Sequence, residues 1–573
     1  MDEQELLNLD AELRAIRLDD GPRLIPLRLD KMFLRARQWH AAHPPSHIPE
    51  PVQRPPTPPR QARVYPLPRP LPPSKGKSVV GAENENDDDV SPLSKLFEYP
   101  ELVPSVLEHF DQPRDLAKIC RVSREWCRIG RRKLYEHVWI RPWEDGCHFK
   151  LVLLFDTLHK HPELCSLIKR LDVRFFPLAA RGEERSDLDD HVKRAMENMR
   201  NLRSLVWTRD RSLNPAFIET IADLDHLTSL EISGHSYRYY DPALLGTMPA
   251  LRDLRIMMPD PNLKSHLVDV VKTLAQRPAG GLRGLGIICQ TSSLIDDAIF
   301  KTIAPDLSKL KRLTLWGCSR VTRDGVFNIL SEAADEVAEL SLDALPHSGL
   351  LDLASSPSLP RLNTLSLSMT TPHKDASDPT IEPADLPTFP AFPSLTSLHL
   401  TLSAAHLFLP LESYQHLQAQ LPPSLIKLSL INLVIASETV AHILTSNPHL
   451  EELYISVNHR NTVLDCEALA EHGQKLRILH VNAPEKWGPN SDDLLVLADR
   501  LKGLEQIGSG NRVYEVHRYL DGPLNHFTSH NTDEEGGRED IDRGGRDVGD
   551  HSRTELCRWT KPFIPGYFQV WRA

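Results

Sequence analysis

Side chains able to do chemistry are plentiful in this 573-residue chain, but their spacing builds no reaction centre. There are 26 histidines and eight cysteines. The cysteines (Cys120, Cys127, Cys147, Cys165, Cys289, Cys318, Cys466 and Cys557) are scattered without a CxxC pair, which argues against a zinc knuckle or a disulfide framework. Their expected role is that of small buried apolar residues. The sequence has no GxxxxGK loop to cradle phosphates, no GxSxG elbow to raise a nucleophile and no HExxH pair to hold zinc. His159-Lys160-His161 brings two imidazoles together without a further ligand nearby, as surface residues do. A triad assembled from distant positions is invisible at this level. The expectation is a chain that is not an enzyme and uses neither metal nor cofactor. Thr57-Pro58 and Ser91-Pro92 could accept phosphate, and Pro55-x-x-Pro58-x-Arg60 has the spacing of an SH3 ligand, although a proline-rich spacer generates such matches by composition.

The elements around these residues are organised for binding. A formal charge of -11 gives no reason to expect nucleic acid, whose nonspecific recognition needs clustered Lys and Arg. The opening Met1-Asp2-Glu3-Gln4-Glu5 lacks a secretory signal and no apolar run is long enough to span a bilayer, so a soluble, intracellular protein of the cytoplasm or nucleus is expected, without membrane contact. Residues 1–40 place Leu6, Leu9, Leu13 and Ile16 along one helical stripe, which either packs on its own chain or docks a partner. Residues 41–92 are proline-rich and then acidic, a composition that favours a disordered linker.

From Ile168 one pattern recurs: apolar, two variable residues, apolar, one variable residue, apolar. Twelve copies start at Ile168, Leu202, Leu227, Leu251, Leu282, Leu310, Val337, Leu362, Leu395, Leu425, Leu450 and Leu476, and a partial thirteenth, Leu504-Glu-Gln-Ile507, is expected to cap them. Successive starts lie 24 to 34 residues apart, the length of a strand, a turn, a helix and a return. Helix signals fall in the intervals: Asn214-Pro215, the run Leu263, Leu267, Val270, Val271 and Leu274, and Ser437 before Val440, Ile443 and Leu444. No unit buries its leucines alone, whereas stacked neighbours bury them together. The sequence therefore predicts an α/β fold, a leucine-rich-repeat solenoid shaped as a horseshoe with a parallel sheet on its concave face, over residues 141–520. The copy Leu310-Lys-Arg-Leu313-Thr-Leu315-Trp316-Gly317-Cys318 through Val326 resembles the cysteine-containing subclass of such repeats.

Ahead of the array, residues 93–140 read as a small three-helix unit. Leu102, Val106, Leu107 and Phe110 share one helical face and Leu116, Ile119, Val122 and Trp126 another. A unit so short leaves apolar surface for the solenoid or a partner to cover, and it could simply cap the array. The order of Tyr99-Pro100-Glu101, Val106-Leu107, Phe110, Asp115-Leu116 and Val122 with Trp126 resembles an F-box, which commonly precedes leucine-rich repeats. Tyr99-Pro100 stands one place out of register with the family's Leu-Pro, and the Asp111–Pro113 loop is one residue longer. The resemblance implies that Pro100, Leu102, Val106, Leu107, Phe110, Leu116, Val122 and Trp126 dock the Skp-family adaptor of a cullin-RING ubiquitin ligase, with the repeats holding an unknown protein substrate.

On each strand the variable residues face out from the concave sheet. Arg255, Met257, Trp316, His399, Tyr454 and His480 are the expected substrate contacts, beside Glu231 and Thr314, because amphipathic rings and arginines suit interface anchors. Ser368 to Pro393, with acidic residues and prolines in place of a helix, is expected to protrude as a loop. Residues 521–555 read as disordered and charged. The aromatic tail 556–573, with Trp559, Phe563, Tyr567, Phe568 and Trp571, either packs on the last repeat or inserts into a partner or the concave groove.

Overall fold

A computed structural model describes residues 102–558, apart from 109, 111–112, 141–146, 178–182, 278–279, 344, 346–352, 370–379, 403–406, 484–486, 511 and 521–551. The N-terminal helical segment, the linker, Pro100 and the aromatic tail beyond Arg558 lie outside the described residues. The described residues all belong to one compact unit.

That unit opens with three helices, α1 (Leu102–Glu108), α2 (Pro113–Ile119) and α3 (Arg124–Glu136). Ser123 caps α3, its hydroxyl accepting from the Trp126 amide at 3.2 Å, which satisfies one of the donors a helix start leaves open. Gly130 lets α2 lie close to α3, since a Cβ there would stand 3.1 Å from Cys120 Sγ. The chain runs straight from α3 into β1 (His137–Trp139), so the sheet begins before the first repeat that the leucine pattern marks.

Among the described residues seventeen strands form one mixed sheet that is parallel except at its C-terminal end. The twelve full copies supply β2 (Arg170–Val173), β3 (Ser204–Trp207), β4 (Ser229–Ser233), β5 (Asp253–Met257), β6 (Gly284–Asp296), β7 (Arg312–Arg320), β8 (Glu339–Asp343), β9 (Thr364–Met369), β10 (Ser397–Leu402), β12 (Lys427–Val434), β13 (Glu452–Ser456) and β14 (Ile478–Asn482). The short β11 (Leu407–Phe408) pairs with the end of β12. Register is set by the leucines: Leu171, Leu205, Leu230, Leu254, Leu285, Leu313, Leu340, Leu365, Leu398, Leu428, Leu453, Leu479 and Ile507 are aligned strand to strand. These residues are buried together with the inward faces of the helices in one continuous core. A one-residue slip would turn that whole set outward, so the register is strongly determined.

The helix signals hold. Asn214 caps Pro215–Ala222 by accepting from the Phe217 amide at 2.9 Å. Pro261–Ala275 buries Leu263, Leu267, Val270, Val271 and Leu274, and Ser437–Ser446 buries Val440, Ile443 and Leu444.

Two expectations need correction. The described part of the Ser368–Pro393 interval does not protrude: Ile381, Leu386, Phe389 and Phe392 are buried in the core, and Phe389 and Phe392 lie 6.2 Å apart by ring centroid. The apolar residues between the prolines, beside the short 3-10 turn Pro383–Asp385, gain more by burial than they would in an exposed loop. The thirteenth copy, β15 (Gln506–Ser509), is a further parallel strand, and the cap is instead the antiparallel pair β16 (Arg512–Leu520) and β17 (Ser552–Arg558).

Candidate functional site

The helical unit divides the residues expected to contact an adaptor. Leu107, Leu116 and Trp126 are buried and Val106 is half-buried, whereas Leu102 is 49% exposed, Phe110 36% and Val122 67%. The seven of them among the described residues are therefore divided between the interior and the surface of the unit. A unit this small needs the inward-turned leucines and the tryptophan for its own interior, which leaves Leu102, Phe110 and Val122 as its exposed large apolar residues.

Inward and outward residues alternate along each strand, so the residue between the second and third apolar positions faces away from the helices. Strand register aligns these outward residues into a row, Asp172, Val206, Glu231, Arg255, Gly286, Thr314, Ser341, Ser366, His399, Ser429, Tyr454 and His480. A second row carries Met257, Ile288 and Trp316. All six expected substrate contacts lie on this face, but they form separate groups: Arg255 among charges, Met257 and Trp316 flanking Ile288, and His399 to His480 at the far end.

Burial corrects half of them as accessible anchors. Tyr454 is 3% exposed and His399 4%, and Met257 is buried as well, whereas Arg255, Trp316 and His480 are half-buried. Tyr454 stacks on His480 with ring centroids 6.2 Å apart, and its edge groups with Ile431 and Ile478 in a small apolar cluster of the outward face. His399 Nδ1 lies 2.7 Å from Ser429 Oγ. Burial removes the imidazolium's hydration and pushes the His399 pKa down to about 3. Ser429 is itself fully buried, so this Ser–His pair is a hydrogen bond of the structure and not an accessible nucleophile.

The first repeats carry charge instead. Glu231 is shared by Arg174 at 3.4 Å and Arg255 at 3.2 Å. Burial would raise the Asp172 pKa, yet hydrogen bonds from His137 and Arg170 outweigh it and hold the carboxyl down at about 2. Among the described residues no group of His, Cys, Asp and Glu could hold a metal ion, and no helix is long and apolar enough to cross a membrane.

Sequence reading passed over a basic edge. The residue that precedes each strand is Lys169, Arg203, Thr228, Arg252, Arg283 and Lys311 in the first six repeats, five cations in six places. A backbone ladder joins them, each amide donating to the carbonyl of the one before, from Arg203 on Lys169 to Lys311 on Arg283. Its signal in the sequence is a Lys or Arg directly after the first apolar residue of the repeat, a position the leucine spacing leaves variable. At its start the ladder meets a cleft of about 800 Å³ between α1, α3 and the turns before β2 and β3.

No protein family matches the chain by sequence, and no curated protein does. Among solved structures, one similar chain is that of the TLR13–ssRNA13 complex, with 15% identity and a TM-score of 0.29 over 61% of this chain and 44% of that one. The chain thus spans less than half the length of that relative. Another is in the complex of Rad7 and Elc1 in yeast, with 17% identity and a TM-score of 0.35 over 65% of this chain and 94% of that one. A third is the leucine-rich repeat-containing protein LegL7 from Legionella pneumophila, with 16% identity and a TM-score of 0.30 over 53% of this chain and 90% of that one. By its own registered leucines, stacked strand on strand, the described chain is built of leucine-rich repeats.

Proposed function

We propose that this chain is the non-catalytic substrate-recognition subunit of an SCF-type cullin-RING ubiquitin ligase, acting in the cytoplasm or nucleus. In this reading the three-helix unit is an F-box that docks a Skp-family adaptor. The repeats curve into a horseshoe whose concave face holds the protein substrate. The observation that supports it most is the exposure of Leu102, Phe110 and Val122 on a helical unit at the head of a long registered sheet. Exposed apolar side chains on so small a unit call for a partner's cover. The sheet beside them offers a ready surface for a second protein. Catalysis would then be positional: holding a substrate beside a charged conjugating enzyme raises its effective concentration, with no reacting group from this chain.

The test is co-purification with the host's Skp-family adaptor, comparing wild type with a Phe110→Asp, Val122→Asp double variant. Leu107 is left intact because it is buried, and a charge there would threaten the fold itself. Adaptor retained by wild type and lost by the folded variant is the expected result. If folded wild type recovers no adaptor, the ligase reading fails and a ligase-independent interaction scaffold remains.

A further inference from the structure

The basic edge and its cleft form a second surface, distinct from the outward sheet face and from the exposed apolar residues of the helical unit. Arg128, Arg132, Lys133, Lys169 and Arg203 line the cleft, against two carboxylates, Glu108 and Glu136. Glu136 is already committed: Lys169 donates to it at 2.8 Å and holds its carboxyl below the usual range. Further along, Lys311 shares Glu336 at 3.5 Å. Arg128, Arg132, Arg203 and Arg283 have no carboxylate partner among the described residues. In a chain of net charge -11, four guanidinium groups without a counter-charge on one continuous edge are a local reversal of sign. Like charges held together repel, and an anionic partner relieves that repulsion while being steered toward it.

We propose that this edge is a docking track for an acidic segment of a partner protein, anchored in the cleft. Adjacent strands lie about 4.8 Å apart, so the ladder from Lys169 to Lys311 spans roughly 24 Å. An extended peptide rising about 3.3 Å per residue crosses it in about seven residues, with a few more to fill the cleft. Ile129 and Leu167, half-buried in the cleft wall, offer an apolar seat for one anchoring side chain. Guanidinium groups suit carboxylates because their planar fork donates two parallel hydrogen bonds. A single-stranded nucleic acid would also match the charge, but such sites interleave aromatic rings for the bases to stack on. The two rows of this edge from the first six repeats hold no aromatic residue: beside the ladder itself stand Arg170, Ser204, Ser229, Asp253, Gly284 and Arg312.

The test is fluorescence anisotropy with the full chain and a labelled peptide of about ten Asp and Glu residues ending in leucine, its length set by the track. Saturable binding that weakens as salt is raised is expected. It should fall about tenfold or more in Arg128→Glu with Arg132→Glu, and likewise in Arg203→Glu with Arg283→Glu. Lys475→Glu with Lys502→Glu, exposed cations of the last repeats, should leave it unchanged. If a reversal variant fails to fold, Gln at the same positions replaces Glu. The proposal is overturned if wild type shows no saturable binding, if the edge variants bind as wild type does, or if a single-stranded RNA of equal charge binds more tightly at the same salt. It does not rest on the adaptor reading: Phe110 and Val122 are untouched, so adaptor capture and peptide binding succeed or fail independently.

Discussion

A histidine on an outward row of a sheet would ordinarily titrate near neutrality, and His399 does not. Its neighbours in register on both sides are serines, Ser366 and Ser429, and all three are buried. With the folded pKa at about 3 and the unfolded value near 6.5, the unfolded chain binds the extra proton between those limits. Stability from keeping His399 neutral is thus present above about pH 6.5 and is lost as pH falls toward 3. One such group costs about 2 kcal/mol between pH 7 and pH 5. His399→Gln should flatten that part of the pH–stability profile in denaturant titrations at the two pH values. An unchanged slope would show that His399 is not held neutral. Alternation in the sequence placed His399 and Tyr454 on the outward face correctly. It could not show their burial, because exposure depends on what lies across the sheet and over it, which no local pattern encodes.

Among the elements, one carboxylate ties the loop after the fourth strand to the loop after the fifth. Asp260 caps the helix Pro261–Ala275, accepting from the Leu263 amide at 2.7 Å, and also accepts from the Ser236 amide at 2.8 Å, the Ser236 hydroxyl at 2.9 Å and the Tyr237 amide at 2.7 Å. Burial alone would raise its pKa, but these four donors outweigh burial and hold it low. One carboxylate thereby fixes a helix start and the loop after the preceding strand. Asp260→Ala removes a cap and strands several buried donors, so it should cost about 2–4 kcal/mol, against about 1 for an ordinary cap. Thermal or chemical denaturation checks this, and a loss no larger than an ordinary cap's would mean that water replaces the loop contacts. The apolar run from Leu263 to Leu274 marked the helix in the sequence, but not the residue that caps it. The Ser236 and Tyr237 contacts were not legible, since they bring together residues 23 and 24 positions away.

At the scale of the whole molecule, an open sheet has two ends, and each must be managed because an uncovered strand edge pairs with other chains. The helical unit and β1 cover one end. At the other, β16 reverses against β15, with Tyr514 and Leu556 packed on the core and Val516 buried in it. Truncation after Ser509 should therefore expose the edge of β15 and drive the protein into oligomers, seen by light scattering after gel filtration. A monodisperse truncated chain of unchanged melting temperature would show that the hairpin is not the cap. The sequence by itself determined the repeat, its strand positions, the register and the main helices, because a recurring leucine pattern states locally which side of each unit must be buried. It also held the basic edge, as a cation beside the first apolar residue in five of the first six repeats. Only the tertiary structure decided which apolar residues of the helical unit turn inward, which outward residues are buried, that the proline-rich interval contributes to the core, and that the array is closed by an antiparallel hairpin. Each of those depends on packing between segments far apart in the chain, where the competition for buried space is settled by neighbours that the local sequence does not specify.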